Sequence, residues 1–155
     1  MLTKKYARRS KLALVGALAA GLVAAGCGED EKKEYSDTVN EANDKFEREL
    51  RDAGQKMRAA GQSKDRRQYG EGAQQLQTAV RDFNDVLEDA DEPEEAKEEE
   101  QALIDALNKF SGTVGRINDA VQRDDEAAIR TEIATLQPQA QQVESAGEAL
   151  ENAVE

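Results

Sequence analysis

The sequence predicts an all-α protein, an antiparallel up-down four-helix bundle behind an N-terminal export segment. Three observations predict it. From about residue 33 onward the apolar residues recur in alternating steps of three and four, the spacing of an apolar stripe on a helix. No stretch alternates with period two and β-branched enrichment, so no strand is expected. The periodic runs have similar lengths and very short links, and matched helices on short links fold back as antiparallel neighbours. A chain of 155 residues has room for one domain and a short additional segment.

The first helix is expected over 33–60, on Tyr35, Val39, Ala42, Phe46, Leu50, Ala53, Met57 and Ala60. Gly61 is its expected C-cap, and Ser63 the N-cap of a second helix over 64–90. That helix carries Tyr69, Ala73, Leu76, Val80, Phe83, Leu87 and Ala90. Pro93 is placed in the first turn of the third helix (94–122), where its missing N–H costs nothing. Leu103, Leu107, Phe110, Val114, Ile117 and Val121 form that helix's stripe. Asp124 is the expected N-cap of the fourth helix, 125–154, whose stripe is Ile129, Ile133, Leu136, Ala140, Val143, Gly147, Leu150 and Val154. Pro138 is expected to kink it or to divide it into two shorter helices in line. Six acid-first i,i+4 pairs decorate the outer faces: Glu41–Lys45, Asp44–Arg48, Glu47–Arg51, Asp52–Lys56, Asp105–Lys109 and Glu126–Arg130. Each contributes only about 0.2–0.5 kcal/mol, so packing must supply most of the stability. A shift of 64 residues lays Val39, Phe46, Leu50 and Ala53 on Leu103, Phe110, Val114 and Ile117, a faint repeat that would suit a duplicated hairpin but that any two amphipathic helices would also show.

Charge divides the chain. Lys4, Lys5, Arg8, Arg9 and Lys11 precede every acidic residue, and an uncharged run of 15 residues follows from Leu12 to Gly26. Such a run is too short for a comfortable membrane span, which needs roughly 20 residues. A basic start, a short apolar middle and small residues before a cut site make an export signal. Without residues 1–26 the chain keeps 16 basic and 33 acidic residues, a net charge of −17. A surface so negative repels nucleic-acid phosphates, and nucleic acid is not an expected partner.

The stretch Ala24-Ala25-Gly26-Cys27 resembles the lipobox of bacterial lipoproteins, with Ala24 standing where that family favours leucine. The resemblance implies a diacylglyceryl thioether on Cys27 and cleavage between Gly26 and Cys27. Residues 1–26 would be the signal peptide, 27–32 the lipidated cysteine and its tether, and 33–155 the bundle. The expected location is the cell envelope, outside the cytoplasm, held to a membrane through acyl chains on Cys27; two or more such chains anchor a protein stably.

Chemistry is scarce. The chain has no histidine and no cysteine beyond Cys27. It therefore lacks an imidazole base, an axial haem histidine and the Glu-x-x-His pairs of di-metal bundles. No enzyme activity, cofactor or metal is expected. Nine of the thirteen residues from Glu88 to Glu100 are acidic, yet they lack the spacing and turn glycine of a calcium loop. They read as a solvated helix end that faces the bilayer and repels anionic lipid. Arg58, Lys64, Arg66, Arg67 and Arg123 gather at the opposite end as a candidate patch for an envelope protein or an anionic wall polymer. Gly54, Gly70, Gly72, Gly112 and Gly115, with Met57 and Tyr69 nearby, mark a candidate ligand pocket; tolerance of glycine at exposed positions is the plainer alternative. The reading is a lipid-anchored, non-enzymatic interaction or scaffolding module, with a small-ligand binding protein as the alternative. Mass spectrometry of protein taken from its native membrane tests the first part. The expected N-terminus is an acylated Cys27, and an unmodified thiol behind an intact leader would contradict it.

Overall fold

A computed structural model describes residues 29–154. They form four helices, α1 (Glu29–Ser63), α2 (Arg66–Asp89), α3 (Lys97–Arg123) and α4 (Glu126–Val154), and no strand among the described residues. The helical-bundle class stands. The leader, Gly26 and Cys27 lie outside the described residues. Helix α1 packs on α2, α2 on α3, and α3 on α4.

Side-chain contacts fix the register. Lys45 Nζ lies 4.0 Å from an Asp82 carboxylate oxygen and Lys56 Nζ 3.1 Å from one of Glu71, so numbers fall along α2 as they rise along α1. Asn84 Nδ2 donates to Asn108 Oδ1 (3.0 Å) and Gln122 Nε2 to the Arg66 carbonyl (2.9 Å), the same reversed order between α2 and α3. Arg116 Nε donates to Glu132 Oε2 at 2.9 Å between α3 and α4. Of the acid-first pairs, Glu47–Arg51 (3.9 Å) and Glu126–Arg130 (2.9 Å) form, while Lys45 and Lys56 reach across to α2 instead. All are surface pairs worth about 0–1 kcal/mol each.

The links differ from expectation in a consistent way. Gly61 does not end α1 and Ser63 does not cap α2; both are helical, and Ser63 Oγ donates to the Ala59 carbonyl at 3.0 Å. The chain reverses at Lys64, whose φ of 56° is left-handed, and again at Asp124, whose φ is 61°. Each is followed by an aspartate. Asp65 N donates to the Ala60 carbonyl and Asp125 N to the Ala120 carbonyl, both at 2.9 Å. These are the six-to-one bonds of a Schellman turn. Asp65 Oδ1 then accepts from Gln68 N and Asp125 Oδ1 from Ala128 N, both at 3.0 Å, which caps the next helix. Asp124 thus closes α3 and Asp125 opens α4. These matching turns are offset by 60 residues, not the 64 of the sequence repeat.

The α2–α3 link is longer. Ala96 N donates to the Pro93 carbonyl at 2.9 Å, so Pro93 opens a turn ahead of α3 and does not stand inside it. At the same end of the fold Glu29–Lys32, expected as tether, are the first residues of α1. Pro138 sits inside an unbroken α4.

Helices with two neighbours need wide apolar faces, and α2 and α3 have them. Ala79 and Val80, Leu103 and Ile104, and Ala106 and Leu107 are buried as adjacent pairs. Helix α4 carries a single-file stripe and buries only Gly147, Leu150 and Val154, leaving Ile133 52% exposed. The rings of Phe46 (α1) and Phe83 (α2) stack with centroids 5.0 Å apart. The contiguous core runs from Tyr35 to Val154. No helix among the described residues is long and apolar enough to cross a membrane.

Two glycine substitutions separate close packing from open space. A Cβ at Gly72 would lie 2.7 Å from Met57 Cγ and 3.2 Å from the Ala53 carbonyl oxygen, whereas one at Gly54 meets nothing within 4 Å. Urea unfolding should show Gly72→Ala costing about 1–3 kcal/mol through overpacking. Gly54→Ala should gain about 0.5–1 kcal/mol from helix propensity.

Candidate functional site

The seam between α1 and α4 is not closed like the other three. Near the start of α1 it opens into a cleft of about 660 Å³, solvent included. Helix α1 supplies Tyr35, Val39 and Phe46 to one wall, and α4 supplies Val143, Leu150 and Val154 to the other. Phe83 of α2 with Leu103 and Leu107 of α3 form the floor, so the cleft reaches the bundle interior. The geometry follows from stripe width. Residues 35, 39, 42 and 46 make one narrow line on α1, and 143, 147, 150 and 154 make another on α4; each line is largely engaged by its sequence neighbour.

Polar groups edge this apolar space. Ser36, Asn40 and Asn43 follow one another at helical spacing on α1, and Glu151 stands on α4. Asn40 Nδ2 donates to Ser36 Oγ at 3.4 Å. Glu151 is the single charged residue of the lining, which holds no lysine or arginine. A polar line beside an apolar one on α1 was the sequence signal for this edge, and periodicity counting over apolar residues passes it by.

Tyr35 also joins α1 to the start of α3. Its hydroxyl donates to Glu100 Oε2 at 2.6 Å, and both residues are buried. Burial pushes the Glu100 carboxyl up from the ordinary 4.5; the Tyr35 hydroxyl pulls it down, and Glu92 and Glu88 raise it further. The Tyr35 hydroxyl is itself driven well above its usual range, first by burial and then by its bond to Glu100. Nearby, Lys32 Nζ lies 3.6 Å from Glu95, which sets the acidic α2–α3 link beside the start of α1.

The glycine-marked residues meet different neighbours. Gly54 faces open space, and Gly72 is a point of close approach between α1 and α2 beneath Met57. Gly115 lies under the Gln77 amide, Gly70 beside Asn118 and Gln122, and Gly112 beside Arg116. Tyr69 is half-buried, and burial raises its hydroxyl. Gly54, Met57, Tyr69, Gly70, Gly112 and Gly115 are all absent from the lining of the α1/α4 cleft. In the basic group, Arg66 is bound to Asp124 at 2.6 Å and Arg67 to Glu71 at 3.1 Å. Arg58, Lys64 and Arg123 are exposed. Among the described residues no group of His, Cys, Asp and Glu is arranged to hold a metal ion. Comparison with protein-family models, curated proteins and solved structures returns no match.

The Glu100 environment sets a pH dependence. A carboxyl raised in the fold binds its proton more tightly there than in the unfolded chain, so stability falls as pH rises from about 4.5 through the folded value. Glu100→Gln removes the buried charge and keeps an acceptor for Tyr35. Urea unfolding at pH 4 to 7 should show the variant more stable than the parent at neutral pH, with the difference shrinking toward acid; a variant less stable at pH 7 would contradict this.

Proposed function

We propose that this chain is a membrane-anchored, extracytoplasmic lipoprotein with a non-enzymatic binding role, built as an up-down-up-down bundle whose binding site is the α1/α4 cleft. The cleft carries the reading. Apolar space that reaches the floor of a helical bundle and is edged by a few polar groups has the lining of a small-molecule site. The reversed order of contacts between successive helices supports the up-down arrangement. The leader and the Ala24–Cys27 resemblance support export and lipidation at Cys27. The missing histidine and the lack of a second thiol support a role without catalysis.

This reading places ligand binding ahead of scaffolding through the basic end. Arg66 and Arg67 are already engaged by Asp124 and Glu71, which reduces what that end offers an acidic partner or wall polymer. Titration of residues 29–155 with Nile red, an uncharged dye that brightens in apolar surroundings, tests the site. One saturable site per chain is expected, with at least tenfold weaker binding in Val39→Trp, which fills the space beside the half-buried wall residue Val39, and with helical circular dichroism retained. Equal dye binding by parent and variant would contradict the reading.

A further inference from the structure

The cleft's charge, length and position identify what it takes. We propose, resting on the cleft being the binding site, that it holds the alkyl chain of one cationic single-chain amphiphile drawn from the bilayer, with the ammonium head beside Glu151, Asn40 and Asn43.

Length and lining point to a chain. The lining runs from Tyr35 to Phe46 on α1 and from Val143 to Val154 on α4, about 16 Å on each wall at 1.5 Å per residue. Between the polar edge residues the lining includes Val39, Phe83, Leu107 and Leu150, an apolar surface that suits a hydrocarbon chain. Charge points to the head. Glu151 is ionisable and half-buried, and the lining offers no lysine, arginine or histidine as counter-ion to a carboxylate, sulfate or phosphate. The lining's other polar side chains on α1, Ser36, Asn40 and Asn43, are neutral. The surroundings deepen the bias, because the acidic α2–α3 link, with Glu88 and Glu92, lies at the same end and the chain without its leader has a charge of −17, although Glu95 is paired with Lys32. A cleft edged by one sign of charge concentrates ligands of the other sign by a factor on the order of 10 to 1,000. Position points to the source. Helix α1 begins two residues after Cys27, and Tyr35 lies about 9 Å along it, so an anchor at Cys27 holds the cleft close to the head groups.

The test is calorimetric titration of residues 29–155, whose core from Tyr35 to Val154 lies within that span. The probes are dodecyltrimethylammonium, dodecyl maltoside and dodecyl sulfate, each below its micelle concentration and at physiological salt, which screens diffuse surface attraction. The proposal expects one dodecyltrimethylammonium per chain, bound at least tenfold more tightly than dodecyl sulfate. Val143→Trp, or Val39→Trp on the opposite wall, should weaken it at least tenfold with the helical circular dichroism retained. Glu151→Gln should weaken the cationic probe and leave dodecyl maltoside unchanged. Three results overturn the proposal. Sulfate binding as tight as the cation, and lost in Val143→Trp, would refute the cationic head while the cleft stands as a binding site. Cation binding indifferent to both tryptophan variants would mean surface attraction only and would remove the cleft reading as well. A dimer in native mass spectrometry that Val143→Trp abolishes would put a second copy of the chain in the cleft.

Discussion

The packing of α2 against α3 is the constraint on which the other helices depend. These two helices alone present apolar faces wide enough for two neighbours, because buried residues stand side by side along them, at 79 and 80, 103 and 104, and 106 and 107. Helix α1 lies on α2 and α4 lies on α3, each through a narrow stripe. Burial is the main source of stability at about 25 cal/mol per Å² of apolar surface, and it is therefore concentrated in the middle pair. The Asn84–Asn108 bond fixes the register between them, because a slipped pairing would leave the buried Asn84 amide without that partner.

An open seam follows from this arrangement. With narrow stripes on α1 and α4, closing the fourth side would also bring the polar line Ser36–Asn40–Asn43 toward Glu151. The interior stays accessible from one side, near the Tyr35–Glu100 bond that ties α1 to α3. That bond holds a carboxyl in a place where burial disfavours its charge, and the bundle bears this cost beside the acidic α2–α3 link. Acid accumulated on the α2–α3 link and a cleft edged by Glu151 give this end an excess of negative charge, even with Lys32 and Lys97 paired to Glu95 and Glu94. The proposed ligand chemistry is a consequence of that sign.

Much of the architecture was legible in the sequence, and the reasons for the rest are physical. Period and length located all four helices, since each carries a long stripe with few interruptions. Their ends were less legible because Ser, Asp and Gly each serve several terminal roles. Between Asp124 and Asp125, only the left-handed φ of the first decides which closes one helix and which opens the next. Gly61 faces open space and stays helical, so its presence after an apolar run did not mark a stop. The glycines looked like one level when counted along the helices, yet Gly72 meets Met57 and Gly54 meets nothing, a difference set by rotation about the helix axis. The cleft was hidden for a related reason. Counting stripe positions registers that a helix has a buried face, while the width of that face determines how many neighbours it has, and width was the missing quantity for α1 and α4.

Native-state hydrogen exchange, resolved by residue, tests this organisation most directly. An interior built on the middle pair gives the slowest amides to α2 and α3, around Val80, Leu107 and Val114, with faster exchange in α1 and the fastest helical amides in the first half of α4, near Ile129 and Ile133. Protection in α4 equal to that in α3 along its whole length would show a bundle closed on all four sides and would contradict the account.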